Sequence, residues 1–272
     1  MDNFDQVVTY DKLVDLGLAT HLLPVIPPDA ELSEHSKLSS GNLGKIPGVY
    51  YRDTDTWSGM KNWPQHITSA VDLAVWKTWP KHAVCMNLGI EYVAFDYDIN
   101  NGAFIEMLDD SIQGVLPESA TRTRDNSPRK VRVYKLQVPT ELKNEYLDYG
   151  IEDAFIGTLE ILTGKKHVVL EGVHKSGGNQ ELEGEIAEIT IEQLHEAIDR
   201  LSKNLFLLEK SPTTGKTRRL PVKAQRIQGS RTYETMCKII EAWTACGGRH
   251  DALRDVIWGK VCDSGPSIAA ID

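Results

Sequence analysis

The chain has 272 residues, enough for one large domain or two modest ones, and its 41% hydrophobic and 25% charged residues exclude wholesale disorder. A net charge of −9 excludes a uniformly basic nucleic-acid coat protein, although local fields rather than the sum decide nucleic-acid binding. No apolar run approaches the roughly 20 residues that span a bilayer. The acidic start MDNFDQ lacks the basic-then-apolar order of a secretion signal, and Cys85, Cys237, Cys246 and Cys262 show no CxxC spacing. Reduced thiols and a cytoplasmic location are the expectation.

Residues 8–26 read as an amphipathic helix that stops near Gly17, followed by a short apolar strand. Residues 27–66, rich in Pro, Gly, Ser and Asn, read as a loop. Thr68 and Ser69 offer caps for a helix through VDLAVWKTW, closed by Pro80. AVCMNLGI and YVAFDYDI then read as two buried strands, with further strands at 131–138 and 166–171. Residues 153–162 fit either helix or strand. From Ile189 the apolar spacing turns helical, with two more helices expected at Tyr233–Thr244 and His250–Val261. The order predicts a mixed α/β (α+β) domain over residues 1–208, a linker over 209–230 and a small helical domain over 231–272.

YVAFDYDIN carries the sharpest chemical signal. Two acids two residues apart on a strand, Asp96 and Asp98, lie on one face while Tyr97 points to the other. Adjacent carboxylates repel and call for a cation, and oxygen ligands of this kind suit Mg²⁺ or Mn²⁺ with phosphates completing the shell. A basic run follows: Arg122, Arg124, Arg129, Lys130, Arg132 and Lys135, interrupted by one acid, Asp125. On a strand, Lys130, Arg132 and Tyr134 share a face, and cations beside a carboxylate–metal centre are what a triphosphate requires. Glu160 adds an acid on an apolar segment. The loop His174, Lys175, Ser176, Gly177, Gly178 is built to approach phosphate through side chains and backbone amides.

In this order the motifs resemble the bifunctional primase–polymerase domains of phages and plasmids, in the archaeo-eukaryotic primase superfamily. The resemblance covers roughly residues 10–180: LGLATHLLPVIP as the opening helix and strand, GKIPG with Trp57, Trp63 and KTWP as the entry segment, AVCMNLGIEYVAFDYD as the first acidic motif, and LEILTGKKHVVLEGVHKSGG as the late one. It implies a catalytic core with an RRM-like mixed sheet and template-directed nucleotidyl transfer on single-stranded DNA. Asp96, Asp98 and Glu160 would hold two divalent metals, Mg²⁺ or Mn²⁺. Arg122, Lys130, Arg132, His174, Lys175 and Ser176 would bind the incoming dNTP or rNTP, and Lys45 of GKIPG would contact template or triphosphate. Relatives often fuse a replicative helicase downstream. One departure stands out: many members carry a His in the middle strand where SPRKVRVYK has Arg132. Phosphate binding survives that change, whereas a titrating imidazole does not.

Between Lys203 and Arg231 eight cations meet one acid, Glu209, giving +7 and leaving −16 for the remainder. Such a segment either tracks DNA through Lys216, Arg218 and Arg219 or is a solvated loop. TTGKT at 213–217 is not a P-loop, because position 210 is Lys where the motif needs Gly. Cys246, His250 and Cys262 are too few and scattered for a zinc site. Tyr50, Tyr51, Trp57 and Trp63 lie among polar residues, either pinning a loop to the core or stacking bases. Two other readings share part of the pattern: a DxD sugar-nucleotide transferase, which leaves the basic runs unexplained, and a non-catalytic single-strand-binding accessory protein, which leaves the acids unexplained.

Overall fold

The computed structural model describes residues 4–151, 154–204 and 206–208. The expected linker, the expected C-terminal helices, and with them Lys216, Arg218, Arg219, Cys246, His250 and Cys262, lie outside the described residues. The fold is mixed α/β with a sheet-dominated core. In chain order it runs α1 (Phe4–Asp15), β1 (Leu22–Val25), β2 (Gly48–Tyr51), β3 (Thr56–Gly59), α2 (Ala70–Trp76), β4 (Ala83–Ile99), α3 (Gly102–Ile112), β5 (Thr121–Arg124), β6 (Ser127–Leu136), β7 (Glu145–Ile151), β8 (Ala154–Val173), β9 (Asn179–Glu183), β10 (Ala187–Ile189) and α4 (Ile191–Ser202). The main sheet has the order β1-β4-β6-β5-β9-β8-β7; β10 joins β6, and β4 also pairs with β8. Among the described residues no helix is long and apolar enough to cross a membrane.

The described residues divide into two compact units, a division within 1–208 that the sequence does not announce. The first comprises residues up to 96 with 117–145 and 160–191. Here β1 lies antiparallel to the start of β4, Leu22 opposite Met86 and Val25 opposite Ala83. The strand that the sequence reads as two is one of 17 residues, accommodating Gly89 at a φ of +55° that a side chain would resist. Gly172 near the end of β8 also has positive φ, +109°, and a Cβ there would meet the Ala83 Cα at 2.6 Å, so the two long strands touch backbone to backbone. Helix α2 starts where the cap residues predict: Ser69 Oγ accepts from the Asp72 N–H at 3.2 Å, and the Asp72 carboxylate accepts from the Ser69 N–H at 2.9 Å.

Residues 27–66 are not all loop. Gly48 pairs with Gly59 and Tyr51 with Thr56 in the two-stranded β2–β3 hairpin. Its tip contains Asp55 at φ +52° and no Asn-Gly or Asp-Gly pair, the signal that usually betrays a hairpin. Its aromatic residues anchor it. Trp57 is 3% exposed, stands edge-on to Trp79 at a centroid distance of 5.6 Å and lies 5.4 Å from Tyr50. Core pinning therefore accounts for Tyr50 and Trp57.

The second unit comprises residues 97–116, 146–159 and, among those described, 192 onward. Asn101 caps α3 by accepting the Phe104 N–H at 3.0 Å. Phe104 packs against Tyr149 and Phe206 at centroid distances of 5.5 and 5.6 Å. Leu194, Ala197 and Leu201 supply the buried stripe of α4, each buried leucine contributing about 2 kcal/mol. Of the ambiguous segment, the described residues 154–162 are strand. At Gly157 a Cβ would meet the Asp98 carbonyl oxygen at 2.5 Å, so β8 passes directly against the end of β4.

Candidate active site

Strand β4 presents its acids as the alternation predicts. Phe95 and Tyr97 are fully buried, Asp96 is half-buried and Asp98 exposed. Tyr97 donates its hydroxyl hydrogen to Asp109 of α3 at 2.6 Å, which fixes the register of the DYD segment from its other side.

In the first unit Arg122 of β5 approaches Asp96, its Nη2 4.0 Å from Oδ1. Arg122 is only 8% exposed. Burial lowers its pKa, Asp96 opposes that effect, and neighbouring Arg124 adds to it. At an effective dielectric of about 20 a pair at this distance attracts by about 4 kcal/mol, largely offset by the cost of desolvating the guanidinium. Arg122 stands opposite Leu182 of β9 and Arg124 opposite Gln180, so strand alternation puts both arginines on one face with Gln180. Arg122 Nε, Arg124 Nε and Gln180 Nε2 are buried without a hydrogen-bond partner among the described residues. Three such donors, at about 1–3 kcal/mol each, make the site deficient in acceptors.

The His174–Gly178 loop joins this face. Arg124 Nη1 donates to His174 Nδ1 at 2.8 Å, and the Ser176 N–H donates to the same nitrogen at 3.1 Å. With Nδ1 accepting, the neutral ring carries its proton on Nε2. Burial, then the charges of Arg124, Lys45, Arg122 and Lys175, push the His174 pKa down to about 4. Lys45 is drawn in because Gly44 packs on the loop: a Cβ on Gly44 would lie 3.1 Å from Lys175 Cβ. Two loop amides are already engaged, the Ser176 N–H with His174 and the Gly177 N–H with the His174 carbonyl at 2.8 Å. Those two amides are therefore already satisfied within the loop.

The structure thus brings Lys45, Asp96, Arg122, His174, Lys175 and Ser176 into one region and adds Arg124 and Gln180. Lys130 and Arg132 lie half-buried on β6, with Arg132 directly opposite Thr121 of β5. Glu160 lies half-buried on β8. Among the described residues no three His, Cys, Asp or Glu side chains form a metal-ligand group, Glu160 included. A Mg²⁺ site does not demand one, since that ion is usually held by one or two carboxylates with waters and substrate phosphates. In the first unit Asp96, beside Arg122, fits such a role.

His174 gives a test of this electrostatic picture. Its folded pKa is below the ordinary value of 6.5. Its stabilising contribution is complete above about 6.5 and is lost as pH falls toward 4, because only the unfolded chain takes up the proton in that window. Replacing Arg124 by Met removes both the donor to Nδ1 and the second largest cause of the shift. The His174 imidazole should then titrate nearer 6.5 by NMR. An unchanged midpoint would show that Arg124 does not control the ring.

Comparison with known proteins finds no family model that matches the chain and no curated protein that matches it.

Proposed function

We propose that the protein is a metal-dependent, template-directed nucleotidyltransferase, a DNA primase–polymerase. The observation that carries this reading is an acidic strand that meets a basic cluster: Asp96 on β4 beside Arg122, and Arg124, Lys45 and Lys175 converging on His174, with Asp98 two residues further along the same strand. A divalent ion bound at Asp96 and Asp98 would supply Lewis-acid stabilisation of charge on the transferring phosphoryl group. Arg122 and Arg124 hold the phosphate oxygens with donors that are already buried and oriented, so little reorganisation accompanies binding. His174 offers its Nε2–H as a neutral donor, and Lys45 and Lys175 balance the remaining charge. Glu160, Lys130 and Arg132 belong to the same proposal through the motif order rather than through measured distances, as does the RRM-like character of the sheet.

The deciding experiment is incorporation of radiolabelled dNTPs and rNTPs on primed and unprimed single-stranded DNA with Mg²⁺ or Mn²⁺. Metal-dependent extension is expected. Absence of incorporation under every combination overturns the reading and returns the DxD glycosyl-transfer alternative, for which release of nucleoside diphosphate from a sugar nucleotide is the assay.

A further inference from the structure

We propose that Trp63 is a base-stacking platform for the single-stranded DNA template, set beside the phosphate cluster by Lys45. This inference rests on the nucleotidyltransferase reading and adds to it a place where the strand lies. The other tryptophans of the entry region bury themselves in one another: Trp57, Trp76 and Trp79 are 3%, 4% and 7% exposed. Trp63 does not join them. It is half-buried, and among the described residues its ring partner is His167, edge-on at a centroid distance of 4.5 Å and 80°.

Trp63 is held in place from several sides. The chain enters it through Asn62 in the left-handed region, φ +54°, a conformation Asn tolerates better than most residues. Pro64 follows within the short 3-10 turn Trp63–Gln65 and restricts its backbone. The buried Asn87 donates its side-chain amide to the Trp63 and Pro64 carbonyls at 3.4 and 2.9 Å. His167 in turn is fixed by Lys45, whose carbonyl oxygen lies 2.7 Å from Nε2. Burial lowers the His167 pKa, the hydrogen bond to the Lys45 carbonyl opposes that effect, and Lys166 adds to it. An aromatic ring immobilised before binding loses little entropy when a base settles on it.

The chemistry around the ring selects the partner. Lys61 lies two residues before Trp63, and Lys165 and Lys166 directly precede His167, all three exposed. Aromatic rings flanked by lysines are how sequence-tolerant single-strand binders combine base stacking with backbone neutralisation. Lys45 links the two sites: its carbonyl holds His167, and its ammonium contributes to the field at His174. A template base stacked on Trp63 therefore lies against His167, whose partner Lys45 flanks the phosphate-binding loop.

Anisotropy of fluorescein-labelled oligo(dT) over a salt series tests this. Trp63→Ala is expected to weaken binding by roughly 5- to 100-fold with its salt slope unchanged, because stacking is not electrostatic. Trp63→Phe should retain most of the affinity. The double change Lys165→Ala, Lys166→Ala should flatten the slope by about 1.4, at about 0.7 per lost single-strand phosphate contact. Wild-type affinity in a folded Trp63→Ala variant overturns the proposal. Where that variant does not fold, photocrosslinking of 5-iodouracil-substituted oligonucleotide to the wild-type protein replaces it, and crosslinks that avoid Trp63 overturn the proposal equally. Nucleotide incorporation is measured in parallel. Wild-type protein that binds oligo(dT) through Trp63 yet incorporates nothing defeats the polymerase reading alone. Incorporation with no effect of Trp63→Ala on binding defeats the platform alone.

Discussion

Replacing Asp96 or Asp98 by Asn is expected to reduce nucleotide incorporation by about a thousandfold or more, with cooperative unfolding retained. The size follows from what is removed. Loss of one neutral donor to a transition-state oxygen already costs about 10²–10³ in rate, and each carboxylate here would hold a divalent cation that neutralises more charge than such a donor. The two variants should differ in stability. Asp98 is exposed, whereas Asp96 is half-buried with Arg122 4.0 Å away, so Asp96→Asn weakens an ion pair whose cation is 8% exposed. That change should lower stability by about 1–2 kcal/mol, measured by urea titration. Near-normal extension by either folded variant removes the DYD segment from the active site.

The acids were readable because a strand repeats every two residues and the sequence YVAFDYDI leaves no other way to bury Phe95 and Tyr97. The start of α2 was readable because Ser69 and Asp72 stand at capping-box spacing. Other elements were hidden for identifiable reasons. Helix α3 carries Phe104, Ile105, Leu108 and Ile112 at helical spacing behind the Asn101 cap, a signal overshadowed by the strand before it. The β2–β3 hairpin is held by contacts of Tyr50 and Trp57, which act across the fold rather than along the chain. Arg124 belongs to the basic run, but its place beside Arg122 follows only once TRTR is a strand, because alternate residues of a strand share a face. Gln180 was not legible, because its place opposite Arg124 is set by β5–β9 pairing, a register no local pattern encodes. The same holds for Lys45, which reaches the His174 loop only because Gly44 leaves room for Lys175.

Arg122 should then prove the main determinant of triphosphate affinity. Arg122→Met keeps much of the side-chain volume beside Val131 and Leu182 while removing the charge and the forked donors. Charge-assisted hydrogen bonds contribute about 1.5–3 kcal/mol each, so triphosphate dissociation constants should rise by roughly 10- to 100-fold, with nucleoside monophosphate binding affected less. Exchange of a buried charge for an apolar group of similar size need not unfold the protein, because the desolvation cost disappears with the charge. Arg122→Lys should recover part of the loss, since it restores the charge without the planar fork. Oligo(dT) binding should stay at the wild-type level in both variants, because the template contacts proposed here lie at Trp63, Lys165 and Lys166. Calorimetric titration with triphosphate and anisotropy with oligo(dT), run on the same preparations, separate these roles. Triphosphate binding that survives Arg122→Met while oligo(dT) binding fails would move Arg122 from the nucleotide to the template.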